Sequence, residues 1–109
     1  MIDSLITDSA AGATAFACGI KTYNRGIGVD PRRRPCGTVL EAAKRGGYVT
    51  GMVVTSKVTD ATPACFASHV LDRDYENAIA EQLIGNGPLN RTVDLLFGGT
   101  SPKEDGDNE

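Results

Sequence analysis

The chain is predicted to fold as an α/β unit, a largely parallel sheet with flanking helices. Short apolar runs alternate with helical stretches in the order strand, helix, helix, strand, helix, helix, strand. Such alternation favours parallel strands joined through helices. Polar residues follow the ends of those runs, where open parallel sheets collect their functional groups. With 109 residues, 40% hydrophobic and 23% charged, the chain is sized for one small domain of ordinary soluble composition.

Residues 2–7 read as a short strand that ends in Asp8-Ser9. Ala10 to about Ile20 reads as a helix thick with alanine, whose small side chains let a neighbouring element approach closely. Tyr23 to Pro35, rich in Gly, Pro and Arg, is a loop. Thr38-Val39-Leu40-Glu41 is a capping box that opens a helix ending at Gly46-Gly47, with Lys44 and Arg45 suited to its last turn. Tyr48 to Thr55 reads as a strand buried on both faces. Thr62-Pro63 starts the next helix, with proline at its first position. That helix carries Phe66 and ends near His69. Asp74 to Leu83 is helical, with Tyr75, Ala78, Ile79 and Leu83 on one side. Val93 to Phe97 is the last strand and Gly98-Gly99 ends it. Residues 1–100 form the domain. Residues 101–109, polar and acidic, read as a disordered tail.

The net charge of −3 argues against a nucleic-acid partner. The one basic run, Arg32-Arg33-Arg34, lies between two prolines and reads as a solvated loop. No apolar segment approaches the length of a membrane span, so no membrane anchor is expected within this chain. The first residues lack the basic-then-apolar pattern of a signal peptide. Cys18, Cys36 and Cys65 cannot all pair within one molecule, and their spacing fits neither a zinc ribbon nor a redox CxxC. Cys18 and Cys65, each among Ala and Phe, are expected as buried thiols. Asn90-Arg91-Thr92 is a glycosylation sequon that matters only in a secretory protein.

The chemistry concentrates in Asp8-Ser9-Ala10-Ala11-Gly12-Ala13-Thr14-Ala15. The arrangement sets the Ser9 hydroxyl at a helix N-terminus, where unpaired N–H groups and the helix dipole favour an anion. A nucleophilic serine there can accept a phosphoryl group and hold it as an ester. The alternative is that Asp8 or Ser9 only caps the helix. Asp60 and Thr62 lie beyond the end of the second strand, so serine, acids and threonine can meet on one rim. They too have a plain alternative as caps of the helix at Pro63.

Several ordered stretches resemble the alkaline phosphatase family. Thr7 to Ala15 resembles its nucleophile motif. Gly19-Ile20-Lys21-Thr22-Tyr23-Asn24 and Gly28-Val29-Asp30 resemble the loop that follows. Thr38 to Lys44, Gly51 to Thr55, Asp60-Ala61-Thr62-Pro63-Ala64, His69-Val70 and Arg73 continue the match in order, over about residues 4 to 99. The wording Ala-Phe-Ala-Cys-Gly and Arg-Pro-Cys-Gly-Thr-Val-Leu-Glu-Ala-Ala looks most like the fungal branch. The resemblance implies that Ser9 becomes a covalent phosphoserine, that Asp8 orients the substrate-binding arginine, and that Arg73 is that arginine. It implies Thr62 as a direct Mg2+ ligand and Asp60 as the acid that holds the magnesium's waters. Without it, Arg73 in Asp72-Arg73-Asp74 reads as a surface ion pair. His69 is the only histidine; a lone His makes no zinc site of three or four ligands, and it is left as structural.

The resemblance further implies hydrolysis of phosphate monoesters with two Zn2+ ions and a homodimeric parent of a vacuolar, luminal or extracellular compartment. One His cannot serve a zinc pair, so the chain is expected to be a piece of a longer catalytic domain, inactive alone. The alternative is a non-catalytic α/β module with at most weak phosphate binding. Two residues depart from the family pattern: Arg25 stands where the family usually has glycine, and Thr100 replaces a third glycine.

Overall fold

A computed structural model describes residues 6–86 and 90–99. The expected first strand falls mostly on residues outside these, and Ile6 and Thr7 are not in a strand. The expected tail over 101–109 lies outside the described residues.

The alanine-rich run forms helix α1, Ser9–Cys18, capped at its start by Asp8 and at its end by Gly19 in the left-handed conformation (φ 74°). It buries Ala10, Ala11, Ala13, Thr14 and Ala17. Helix α2, Val39–Arg45, opens on the expected capping box: Thr38 Oγ1 accepts the Glu41 N–H at 3.1 Å and Glu41 Oε1 accepts the Thr38 N–H at 3.0 Å. Strand β1 runs over Gly51–Lys57, helix α3 over Ala61–Ala64, helix α4 over Glu76–Leu83 and strand β2 over Leu95–Gly99. The two strands pair in parallel, with Gly51 opposite Leu95 and Val53 opposite Phe97, and the register shifts before Lys57 meets Gly99. The α/β reading holds.

The strands differ from expectation in extent. Tyr48 to Thr50 are not in the ladder; pairing begins where the Thr50 carbonyl accepts the N–H groups of Asp94 and Leu95. Asp94 secures that start, its carboxylate taking the Thr50 N–H at 2.8 Å and the Lys44 ammonium at 2.7 Å. Gly98 and Gly99 lie inside β2 rather than ending it, because Val54, Ser56 and Val58 crowd the space a Cβ on Gly98 would fill. Nor is β1 buried on both faces. Met52 is buried, whereas Val53 is 74% exposed, since no described helix covers that side.

Helix α3 is shorter than expected. Asp60 sits at the N-cap, so Pro63 is its third residue, not its first. The position is tolerated because N–H groups of the first turn have no partner within the helix. Phe66 and His69 lie beyond its end. Helix α4 buries Ile79 and Leu83, while Tyr75 and Ala78 are exposed. The core is built largely from small side chains, Ala10, Ala13, Ala61, Ala64, Cys65 and Ala67, joined by Ile27, Met52, Val70, Ile79, Leu83 and Val93. Helices α1 and α3 pack directly on each other through these alanines.

Cys18 is not a buried free thiol. It forms a disulfide with Cys36, which ties the end of α1 to the loop before α2. The pairing depends on how the intervening loop returns, which spacing alone does not reveal. Cys65 is free and buried as expected. The basic run is wound into a turn around Asp30, whose Oδ1 accepts the N–H groups of Arg32 and Arg34 at 2.9 Å each. Arg33 lies over the Tyr23 ring, 5.3 Å from its centroid.

Candidate active site

Asp8 organises the start of α1. Its Oδ1 accepts the Ala11 N–H at 2.8 Å and its carbonyl accepts the Gly12 N–H at 3.0 Å. The capping alternative is therefore met by Asp8, which leaves Ser9 as the first helical residue with an exposed side chain. No hydrogen bond from another described residue engages the Ser9 hydroxyl. It stands at the positive end of the α1 dipole, where a phosphate would also be favoured.

The second oxygen of Asp8 faces two partners. Oδ2 accepts the Arg25 N–H at 2.8 Å, and the Arg73 guanidinium lies 3.5 Å away through Nη1. Chain folding brings together positions 65 apart in sequence. Arg73 is thus not paired with its neighbours. Arg25 takes them instead, through Nε to Asp72 Oδ2 at 3.0 Å, Nη2 to Asp72 Oδ1 at 3.1 Å, and Nη2 to the Asp74 carboxylate. The Arg25 guanidinium holds the Asp72 carboxyl below the usual carboxylate range. Asn24 clamps the same turn from behind: its side-chain N–H donates to the Ile6 carbonyl at 2.9 Å and its Oδ1 accepts the Asp8 N–H at 3.0 Å.

Asp60 and Thr62 sit together at the start of α3. Asp60 occupies the N-cap yet its carboxylate makes no capping hydrogen bond, and Thr62 is exposed. No described hydrogen bond or ion pair joins either to Asp8, Ser9 or Arg73. Two oxygen donors of this kind, one anionic, suit a hard ion such as Mg2+ that keeps much of its water. Zinc does not fit. It needs three or four protein ligands, and among the described residues no group of three or more His, Cys, Asp or Glu gathers.

His69 is committed elsewhere. Its Nε2 lies 2.6 Å from Glu41 Oε2 and its Nδ1 lies 2.7 Å from the Gly28 carbonyl, so both nitrogens face acceptors. Burial alone would lower its pKa, but the hydrogen bonds to Glu41 and Gly28 and the Glu41 charge outweigh it and hold the pKa above 6.5. Gly28 adopts φ 60°, and a Cβ there would meet the Ser68 carbonyl and His69 Nδ1. Its N–H donates to Thr14 Oγ1 at 3.0 Å, which links this network to α1.

The sequence pattern of the family described as alkaline phosphatase matches residues 1–104. The chain belongs to the alkaline phosphatase family. It is 67% identical over 97 residues to the repressible alkaline phosphatase of Saccharomyces cerevisiae, covering 89% of this chain and 17% of that protein. It is 65% identical over 96 residues to the alkaline phosphatase of Schizosaccharomyces pombe, covering 88% of this chain and 18% of that protein. The chain therefore spans about a sixth of the length of these relatives. Among solved structures, the alkaline phosphatase of the Antarctic bacterium TAB5 superposes with a TM-score of 0.79 at 41% identity, covering 87% of this chain and 26% of that one. A variant of the TAB5 enzyme described with Mg bound superposes at 0.82 and 40% identity, covering 95% of this chain and 29% of that one.

Asn24 and Arg25 carry no signature of a site residue in the sequence. Arg25 was visible only as a departure from the family's glycine, and Asn24 only as part of a matching loop. Their roles depend on a turn that brings them back to Asp8.

Proposed function

We propose that this chain carries the nucleophile and the phosphate grip of a phosphomonoesterase, acting on phosphate monoesters through a covalent phosphoserine at Ser9. One observation carries the reading: an exposed serine begins α1 beside an aspartate that faces Arg73 across the fold. Ser9 Oγ attacks phosphorus, the P–O bond to the leaving group breaks, and the alcohol departs with a proton. Water then cleaves the serine ester, releasing inorganic phosphate and restoring Ser9. Asp8 holds Arg73 so that its planar fork can take two phosphate oxygens. The grip tightens as charge builds in the transition state.

Asp60 and Thr62 would hold Mg2+. When bound, the ion supplies positive charge and ordered water beside the site. Among the described residues there is no donor set for zinc. For the same reason residues 1–109 by themselves are expected to release no phosphate, even with zinc and magnesium added.

The test uses the longest gene product that contains this chain. Ser9→Ala is expected to abolish phosphoserine formed from labelled substrate, because among the described residues no other hydroxyl shares its place at the start of α1. Label trapped on another residue would overturn the assignment. A product that binds phosphate but never labels Ser9 would favour the non-catalytic alternative.

A further inference from the structure

Arg73 lies between two aspartates in the chain, and either carboxylate would compete with Asp8 for its guanidinium. Arg25 removes that competition by pairing with both Asp72 and Asp74. Its backbone N–H donates to Asp8 Oδ2, the oxygen that Arg73 faces. One residue thus fixes both ends of the Asp8–Arg73 pair. Tyr23 adds a second tie between the same two segments, its hydroxyl donating to the Leu71 carbonyl at 2.9 Å.

Arg25 does this from a backbone conformation of φ 77°, a left-handed geometry that side chains other than glycine seldom adopt. Strain of this kind persists where surrounding contacts hold it, and it gathers at functional sites. The side-chain pairs to Asp72 and Asp74 and the N–H bond to Asp8 are those contacts.

We propose that Arg25 is a positioning residue that aims Arg73 at the phosphate. The proposal rests on the reading of Ser9, Asp8 and Arg73 given above. Removing Arg25 frees two carboxylates to pull Arg73 away from Asp8. The pairs are partly exposed, so the effect is moderate.

The experiment measures the affinity for inorganic phosphate by titration calorimetry, and the Tm, in the longest gene product that contains this chain. The variants are Arg25→Gly, Arg25→Lys and Arg73→Ala. Arg25→Gly is expected to weaken phosphate binding about two- to fivefold without lowering the Tm, because glycine relaxes the left-handed turn. Arg25→Lys keeps the charge but not the fork, and should fall between the two. Unchanged phosphate affinity in Arg25→Gly, with weakened binding in Arg73→Ala, overturns the proposal and leaves the site reading intact. Unchanged affinity in Arg73→Ala overturns both. A fall in Tm that accompanies the loss of affinity in Arg25→Gly makes Arg25 a merely structural residue and overturns the proposal.

Discussion

At the residue scale, His69 shows how a side chain can matter without touching the chemistry. Both ring nitrogens face acceptors, so the doubly protonated imidazolium can donate to Glu41 and Gly28 at once. Its pKa in the folded protein lies above its unfolded value near 6.5. The stabilisation it gives is therefore fully present below pH 6.5 and is lost as pH rises through the higher folded value. Urea denaturation of the wild type is expected to show that decline, and His69→Gln is expected to lack it. The variant should also be less stable than the wild type at acidic pH, because Glu41 Oε2 loses its charged partner. Legibility at this scale was uneven. A single histidine without companions could be read as non-catalytic from composition, and a serine after an apolar run could be read as a helix start. Arg25 could not be read, because its partners lie 47 and 49 positions away and its backbone geometry leaves no signature in an arginine.

Among the elements, α2 was the most legible. Its capping box is a local pattern, and local patterns survive folding unchanged. Thr38 also reaches outside the helix, its hydroxyl donating to the Phe66 carbonyl at 2.6 Å. Thr38→Ala is expected to cost about 1–2 kcal/mol, the upper part of the range for a lost cap, measured as a lowered urea midpoint. The strands were legible in kind but not in bounds. Where β1 begins to pair depends on Asp94, Lys44 and Thr50, which meet only after the chain has crossed over. That β2 runs on through Gly98 depends on the close approach of Val54 and Val58, which a residue without a Cβ allows. An apolar run such as Val49 to Val54 suggests two covered faces, but the run cannot say whether a helix lies on each. In the described residues Val49 and Val53 face solvent.

For the whole molecule, the disulfide is the feature that composition concealed. Three cysteines permit several pairings, and the chosen one closes a loop with a sequence separation of 18. Closing a loop of that size restricts the unfolded chain, so reduction or Cys36→Ala is expected to lower stability by about 3 kcal/mol. Comparing denaturation with and without a thiol reductant measures it. The parallel ladder carries a different consequence, in time rather than in energy. Thr50 and Asp94, which begin the pairing, stand 44 residues apart, so the ladder cannot form until the chain between them has been drawn in. Helices α1 and α2 need only neighbouring residues and can form first. Topologies dominated by such distant pairings fold slowly, because the entropy of closing the connection is spent before its contacts return anything. During that interval the edges of β1 and β2 stand open and invite pairing with other chains. In stopped-flow refolding, removal of the Asp94 carboxylate is then expected to speed unfolding while leaving the refolding rate nearly unchanged, the mark of a contact made after the barrier.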